Sequence, residues 1–225
     1  MLSSFRSSRA LVAFVFVWMA SSSVQAAAII TTIPNWNGSS AVSAFGYASA
    51  ASTYGETFTA PTDSVLTSFS FEMQLPADTT FRGYVFQWSG SMATGTQLFA
   101  SPATHTAGGS IFQKITFDTN GIALNPGQSY VLFASTVDLR GTGQGIWGQT
   151  QGENTYSGGE FVFIDNNTTD QWTKSAWTKG FIGAGADLAF EATFVSRSNS
   201  VPEPTSLALI GAVLAGVVAS RRRGK

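Results

Sequence analysis

The residues that could do acid–base, nucleophilic or metal chemistry are few in this chain. Cysteine is absent, which excludes a thiol nucleophile and cysteine metal ligands. His105 is the single histidine and lies in a stretch of small and polar residues, where a solvated side chain is the common outcome. The Gly-x-Ser-x-Gly pattern of a hydrolase nucleophile elbow does not occur. We therefore expect a protein that is not an enzyme.

Oxygen ligands cluster in the segment FIDNNTTDQW. Asp165, Asn167 and Asp170 are candidate Ca²⁺ ligands, because Ca²⁺ prefers carboxylate and carbonyl oxygens. Their spacing fits no EF-hand loop, and clusters of Asp and Asn also form ordinary turns. We expect no cofactor, with calcium at these three residues as the open alternative.

Residues 143–148, GQGIWG, match the G-x-G-x-x-G pattern. A dinucleotide site would need a strand before this pattern and a helix after it, so that the pyrophosphate rests on the helix N-terminus. No helical pattern follows here. The segment is predicted to be a glycine-rich loop that enters a strand.

Three tryptophans, Trp147, Trp172 and Trp177, lie in or near predicted loops. Aromatic rings with a polar handle can stack on sugars or anchor a partner, so these three form a possible ligand platform. Large aromatic residues also close the cores of β-sandwiches. The second interpretation carries more weight in a chain with 18 phenylalanines.

The elements that must position these residues are strands. Apolar and polar residues alternate in several segments, and apolar side chains share one face at Phe69, Phe71, Met73 and Leu75. Turn-forming residues separate these segments, and no sustained 3.6-residue apolar period occurs between Ile29 and Arg197. For residues 27–197 we predict an all-β ectodomain, a jelly-roll-like antiparallel β-sandwich of about eight to ten strands.

The charge of the central region argues against one class of partner. Residues 27–200 contain six basic and twelve acidic side chains. An acidic body disfavours phosphate backbones, so no nucleic acid is expected as a partner.

The N-terminal segment has the parts of a secretory signal peptide. Arg6 and Arg9 precede an apolar core at residues 10–20, and small residues lead up to Ala26. This order predicts a signal peptide at residues 1–26, with an uncleaved membrane anchor as the alternative.

The C-terminal segment predicts a second membrane element. Residues 198–204 form a linker that includes Val201, Pro202, Glu203 and Pro204. Residues 205–220 carry no charge, and as a helix they would extend about 24 Å, short of a hydrocarbon core of about 30 Å. Arg221, Arg222 and Arg223 suit a stop-transfer flank. We predict a short transmembrane helix at 205–220 and a basic cytoplasmic tail at 221–225.

These C-terminal residues resemble the PEP-CTERM sorting signal of Gram-negative bacteria, a motif also labelled an ice-binding protein C-terminal domain. The resemblance rests on Val201-Pro202-Glu203-Pro204, the apolar segment and the arginine cluster, in that order. It implies processing by an exosortase at or near the Pro-Glu-Pro triplet, in bacteria that make exopolysaccharide and biofilm matrix. Segments of the body, such as LNPGQSYVLF, also look like sandwich ectodomains that recur with this signal.

The resulting hypothesis is a non-catalytic exported surface or extracellular-matrix protein, sorted by exosortase through its C-terminal signal. The inner membrane would hold it transiently, and its destination would be the cell surface or the extracellular space. The alternative is a carbohydrate-binding module for exopolysaccharide. A polysaccharide-active hydrolase ranks third, because the sequence shows no acid–base constellation.

Overall fold

The computed structural model describes residues 27–47, 51–75, 78–106, 108–140, 144–150, 154–180 and 186–197. This part of the chain contains thirteen strands and two short 3-10 helices, the helices at Ile33–Asn35 and Thr169–Thr173. The strands are β1 Ala28–Thr31, β2 Ala41–Phe45, β3 Thr53–Thr59, β4 Val65–Gln74, β5 Thr79–Trp88, β6 Ala93–Ala100, β7 Thr104–Thr106, β8 Gln113–Ala123, β9 Ser129–Ser135, β10 Gly145–Gly148, β11 Phe161–Ile164, β12 Thr178–Lys179 and β13 Phe190–Val195.

The strands form two antiparallel sheets. The first sheet has the order β1-β13-β4-β10-β2, with β8 on the other edge of β4. The second sheet has the order β12-β11-β3-β9-β5-β6, with β7 also paired to β5. The prediction of an all-β antiparallel fold is confirmed, and a β-sandwich is consistent with it; the jelly-roll-like connection stays a prediction. More strands form than the eight to ten expected, because β1, β7 and β12 are too short to show alternation.

The core between the sheets follows the alternation in the sequence. Phe69, Phe71, Met73 and Leu75 are all buried, as predicted. They pack in one apolar cluster with inward residues of the second sheet, such as Leu132. Because successive strand residues point to opposite faces, a period of two is sufficient to identify this core.

The second sheet is buried on its outer face as well. Val131 and Phe133 of β9 belong to a separate apolar cluster, which Trp172 and Trp177 cover. The Trp172 ring lies 5.0 Å from that of Phe133, centroid to centroid, and the Trp177 ring lies 5.2 Å from it. The segment that contains the second 3-10 helix therefore covers the outer face of this sheet.

Asn120 and Gly121, a pair of residue types that often forms turns, lie in a bulge inside a strand. Asn120 and Gly121 lie within β8 with φ of 56° and 84°. The register of β8 against β4 shifts between Leu66 and Ser68, so β8 carries extra residues there. Asn and Gly tolerate positive φ in a bulge as well as in a turn, so this residue pair does not by itself distinguish the two.

The predicted terminal segments lie outside the described residues. They comprise the signal peptide at 1–26, the linker at 198–204, the apolar helix at 205–220 and the basic tail at 221–225. Among the residues that are described, no helix has the length and apolar character needed to cross a membrane.

Candidate functional site

The three tryptophans of the possible ligand platform are buried. Trp147 is inside the core between the sheets, with its ring 4.7 Å from that of Phe71. Trp172 and Trp177 cover the outer face of the second sheet, and their indole N–H groups donate to Thr53 and to the Trp172 carbonyl. No exposed ring face is left to stack on a sugar, so this burial favours the core interpretation.

Of the three calcium candidates, Asp170 has a side chain with hydrogen-bond and ion-pair partners within the protein. Lys174 donates to the carboxylate of Asp170 at 2.8 Å, and the Thr168 hydroxyl donates to its other oxygen. These donors lower the pKa of Asp170. The backbone N–H of Asn167 donates to the Gln171 side chain, which also forms the capping box of the second 3-10 helix with Thr168. Within the described residues, no group of three His, Cys, Asp or Glu side chains is placed to hold a metal ion.

His105 and the glycine pattern have local roles. His105 is exposed on β7, where its Nδ1 lies 3.1 Å from the Thr80 hydroxyl. Gly145–Gly148 forms β10, which agrees with a glycine-rich segment that enters a strand. A Cβ at Gly148 would lie 2.9 Å from Ala189 and from the Trp36 ring, so close packing requires glycine there.

A buried pair of carboxyl groups is the most unusual chemical feature of the described residues. Glu56 of β3 and Asp187, just before β13, are both fully buried. The Glu56 carboxyl lies beside that of Asp187 and accepts the Leu188 amide at 2.8 Å, and Glu56 Oε1 and Asp187 Oδ1 have no other partner. Asp187 Oδ2 accepts three donors, namely the amide and hydroxyl of Thr155 and the amide of Tyr156, at 2.7–2.9 Å.

The surroundings of this pair favour a proton on Glu56 and a negative charge on Asp187. Burial, together with the charge of Asp187, raises the pKa of Glu56 well above its ordinary value. Burial also raises the pKa of Asp187, but its three donors oppose that effect because they stabilise the carboxylate. A proton on Glu56 lets that group donate to Asp187, which satisfies both remaining oxygens.

Sequence reasoning missed this pair although one signal was present. Glu56 has the same strand parity as Tyr54 and Phe58, both of which are buried in the core. A glutamate at an inward position of a strand is unusual and indicates a buried partner. The pair links β3 of the second sheet to the backbone leading into β13 of the first. Because no part of either side chain reaches solvent, the arrangement is that of a structural network.

An open groove lies on the outer face of the first sheet. We call it the outer-face groove; its volume is about 560 Å³. Its aromatic and apolar lining consists of Trp36, Ile111, Phe112 and Ile146. Its polar lining includes Glu72 and Gln74 of β4, which alternate with the inward residues Phe71 and Met73. Trp36 is half-buried, whereas the other four tryptophans of residues 27–197 are buried.

The aromatic wall of this groove is fixed in position. The Trp36 indole N–H donates to the Ser40 carbonyl at 2.7 Å. The Trp36 and Phe112 rings meet edge to face, with centroids 4.9 Å apart and planes at 78°. Asn37 Oδ1 accepts the Ser39 and Ser40 amides at 2.9 and 2.8 Å, which stabilises the loop that carries Trp36.

The predicted sorting residues, Val201, Pro202, Glu203 and Pro204, lie outside the described residues, as do Arg221, Arg222 and Arg223. Comparison with known families nevertheless identifies this region. A family model described as the PEP-CTERM protein-sorting motif matches residues 200–223. The matched residues include Pro-Glu-Pro, the apolar segment and the arginines.

Comparisons with whole proteins add little to this match. No curated protein matches the chain. One solved structure with a similar arrangement contains the cysteine protease and lectin-like domains of Cwp84, a surface layer associated protein of Clostridium difficile. Its sequence is 13% identical and its TM-score is 0.41, over 64% of this chain and 32% of that one. This chain therefore spans about a third of the length of that structure.

Proposed function

We propose that this protein, which carries a PEP-CTERM protein-sorting motif, is a non-catalytic surface or extracellular-matrix protein delivered by exosortase. The match at residues 200–223 is the observation that carries the proposal. The motif implies export, sorting at the membrane towards the cell surface and processing by an exosortase. The β-sandwich is then the part that acts at the destination.

The parts of the C-terminal segment have separate roles in this proposal. Residues 205–220 hold the exported chain in the inner membrane for a limited time, and Arg221, Arg222 and Arg223 keep the end of the segment in the cytoplasm. The apolar stretch is short for a permanent span, which suits an anchor that is later removed. The Pro-Glu-Pro triplet directly precedes this anchor in the sequence, and in the proposal the enzyme acts at or near it.

A non-catalytic role is supported by the state of the chemical groups in the described residues. Glu56 and Asp187 could form an acid–base pair by residue type, but both side chains are fully buried beside each other. His105 is exposed, and its Nδ1 contacts the hydroxyl of Thr80. A polysaccharide hydrolase would need two carboxyl groups facing a cleft that admits the substrate.

Substitution of the triplet in the native host tests the sorting proposal. With Glu203→Ala and Pro204→Ala combined, we expect the protein to keep its C-terminal segment and to remain in the membrane fraction. The matched control combines Ser198→Ala and Asn199→Ala, which alter the same linker outside the matched residues. Immunoblots of membrane, surface and medium fractions report the outcome. If the triplet variant is processed and located as the unaltered protein is, the proposal is wrong.

A second function, carbohydrate binding, is favoured by a different part of the molecule from the one that the sequence suggested. Trp147, Trp172 and Trp177 are buried, but the outer-face groove combines a half-exposed tryptophan with polar side chains.

A further inference from the structure

We propose that the outer-face groove is a binding site for a neutral polysaccharide, with Trp36 and Phe112 contacting sugar rings and Glu72 and Gln74 bonding to sugar hydroxyls. The site is distinct from the three tryptophans considered in the sequence, and it does not depend on how the chain is sorted. Four properties of the groove support it: aromatic surface, unpaired polar groups, charge and size.

The aromatic surface suits the apolar faces of pyranose rings. Trp36 and Phe112 are both half-buried, so part of each ring remains open to the groove. Their edge-to-face contact presents two ring planes almost at right angles. Ile111, of which 68% is exposed, extends this apolar surface at the rim. C–H groups of a sugar pack against such surfaces while its hydroxyls stay in contact with polar groups.

The polar groups of the groove are available to a ligand. Among the residues that the structure describes, the side chains of Glu72 and Gln74 have no hydrogen-bond or ion-pair partner. Glu72 lies opposite Lys114 in the sheet, but Lys114 donates to Glu191 at 2.7 Å instead. Glu72 provides a carboxylate that accepts hydrogen bonds, and Gln74 provides a carboxamide that both donates and accepts them. The two residues are two positions apart on one strand face, so their side chains match the paired hydroxyls of a sugar.

The charge of the groove selects against acidic polysaccharides. Glu72 and Glu191 share one neighbouring cation, Lys114, which forms its ion pair with Glu191, so this part of the groove has a net negative charge. The surrounding body carries twice as many acidic as basic side chains. A chain of uronic acids or sulfated sugars would therefore be repelled, whereas neutral hydroxyls meet an acceptor.

The size and rigidity of the groove favour a few sugar units over a protein partner. Its volume of about 560 Å³ is typical of small-ligand sites, which span roughly 300–1,000 Å³. The Trp36 loop is already held by its internal hydrogen bonds, so binding would order little additional structure. A stable protein interface needs a larger apolar area than four side chains supply.

Affinity gel electrophoresis of the full-length chain in a mild detergent tests this site. The gels contain dextran, laminarin or galactomannan as neutral polysaccharides, and alginate as the anionic comparison. We expect at least one neutral polysaccharide to retard the protein and alginate to leave it unretarded. Trp36→Ala and Gln74→Ala should each weaken the retardation at least tenfold, measured as the apparent Kd.

A control variant outside the groove, together with Gln74→Ala, makes the result specific to the groove. Leu98→Ala removes an exposed apolar side chain of β6 in the other sheet and should retain wild-type affinity. Gln74→Ala alters a partly exposed side chain without partners, so it separates lost binding from lost folding if Trp36→Ala unfolds the domain. Retardation by none of the neutral polysaccharides, retardation by alginate alone, or unchanged affinity of Gln74→Ala would each overturn the proposal.

Discussion

Replacing Asp187 by alanine is expected to lower the free energy of unfolding by about 3 kcal/mol. The substitution removes the acceptor of three hydrogen bonds from Thr155 and Tyr156 and leaves those partly buried donors without it. It also deprives Glu56 of its hydrogen-bond partner. Urea unfolding of the full-length chain, followed by tryptophan fluorescence, measures the change.

The matched control for this prediction is Asp170→Ala. Asp170 is exposed and pairs with Lys174 one helical turn away, an arrangement that solvent screens. We expect its unfolding curve to stay close to that of the unaltered protein. Similar unfolding midpoints for the two variants would show that the Glu56–Asp187 network does not stabilise the fold.

Glu56 is expected to make the protein less stable as the pH rises. Because its pKa is raised in the folded state, the native protein holds a proton that the unfolded chain releases above the ordinary value of 4.5. The unfolding free energy should then fall by about 1.4 kcal/mol per pH unit from that value upward, until the raised pKa is reached. Unfolding midpoints measured between pH 4 and pH 8 reveal the slope.

Glu56→Gln isolates this effect from other titrating groups. The amide N–H can donate to Asp187 as protonated Glu56 does, and its oxygen can accept the Leu188 amide, but it cannot ionise. We expect the variant to lose the slope and to exceed the unaltered protein in stability at neutral pH. Asp187 and Glu72 also have raised pKa values, so the difference between the two profiles is the quantity to compare. Parallel profiles would show that Glu56 is ionised in the folded protein.

Much of the fold could be predicted from the sequence because burial in a strand has a period of two. Leu188, Phe190, Ala192 and Phe194 share one parity in the sequence, and all four are buried. In β9 both parities are apolar, and its residues accordingly belong to two apolar clusters on opposite faces. The edge strand β1 and the two-residue β12 were not predicted, because a strand so short carries too little pattern.

The candidate sites were harder to predict, because they depend on which strands become neighbours. Glu56 and Asp187 are far apart in the sequence, and neither shows from its own surroundings that the other lies beside it. Trp36 lies in an aperiodic segment that gave no indication of its position beside Phe112. The sorting motif could be recognised because its parts are contiguous in the sequence and need no tertiary structure to bring them together.

The central claim is tested most directly by locating the last residue of the mature protein from the native host. Surface or secreted protein is purified, digested and mapped by mass spectrometry to locate its last residue. Sorting by exosortase predicts a C-terminus at or near Pro202-Glu203-Pro204, with the apolar segment and the arginines absent. Recovery of surface protein that still ends at Lys225 would contradict the account.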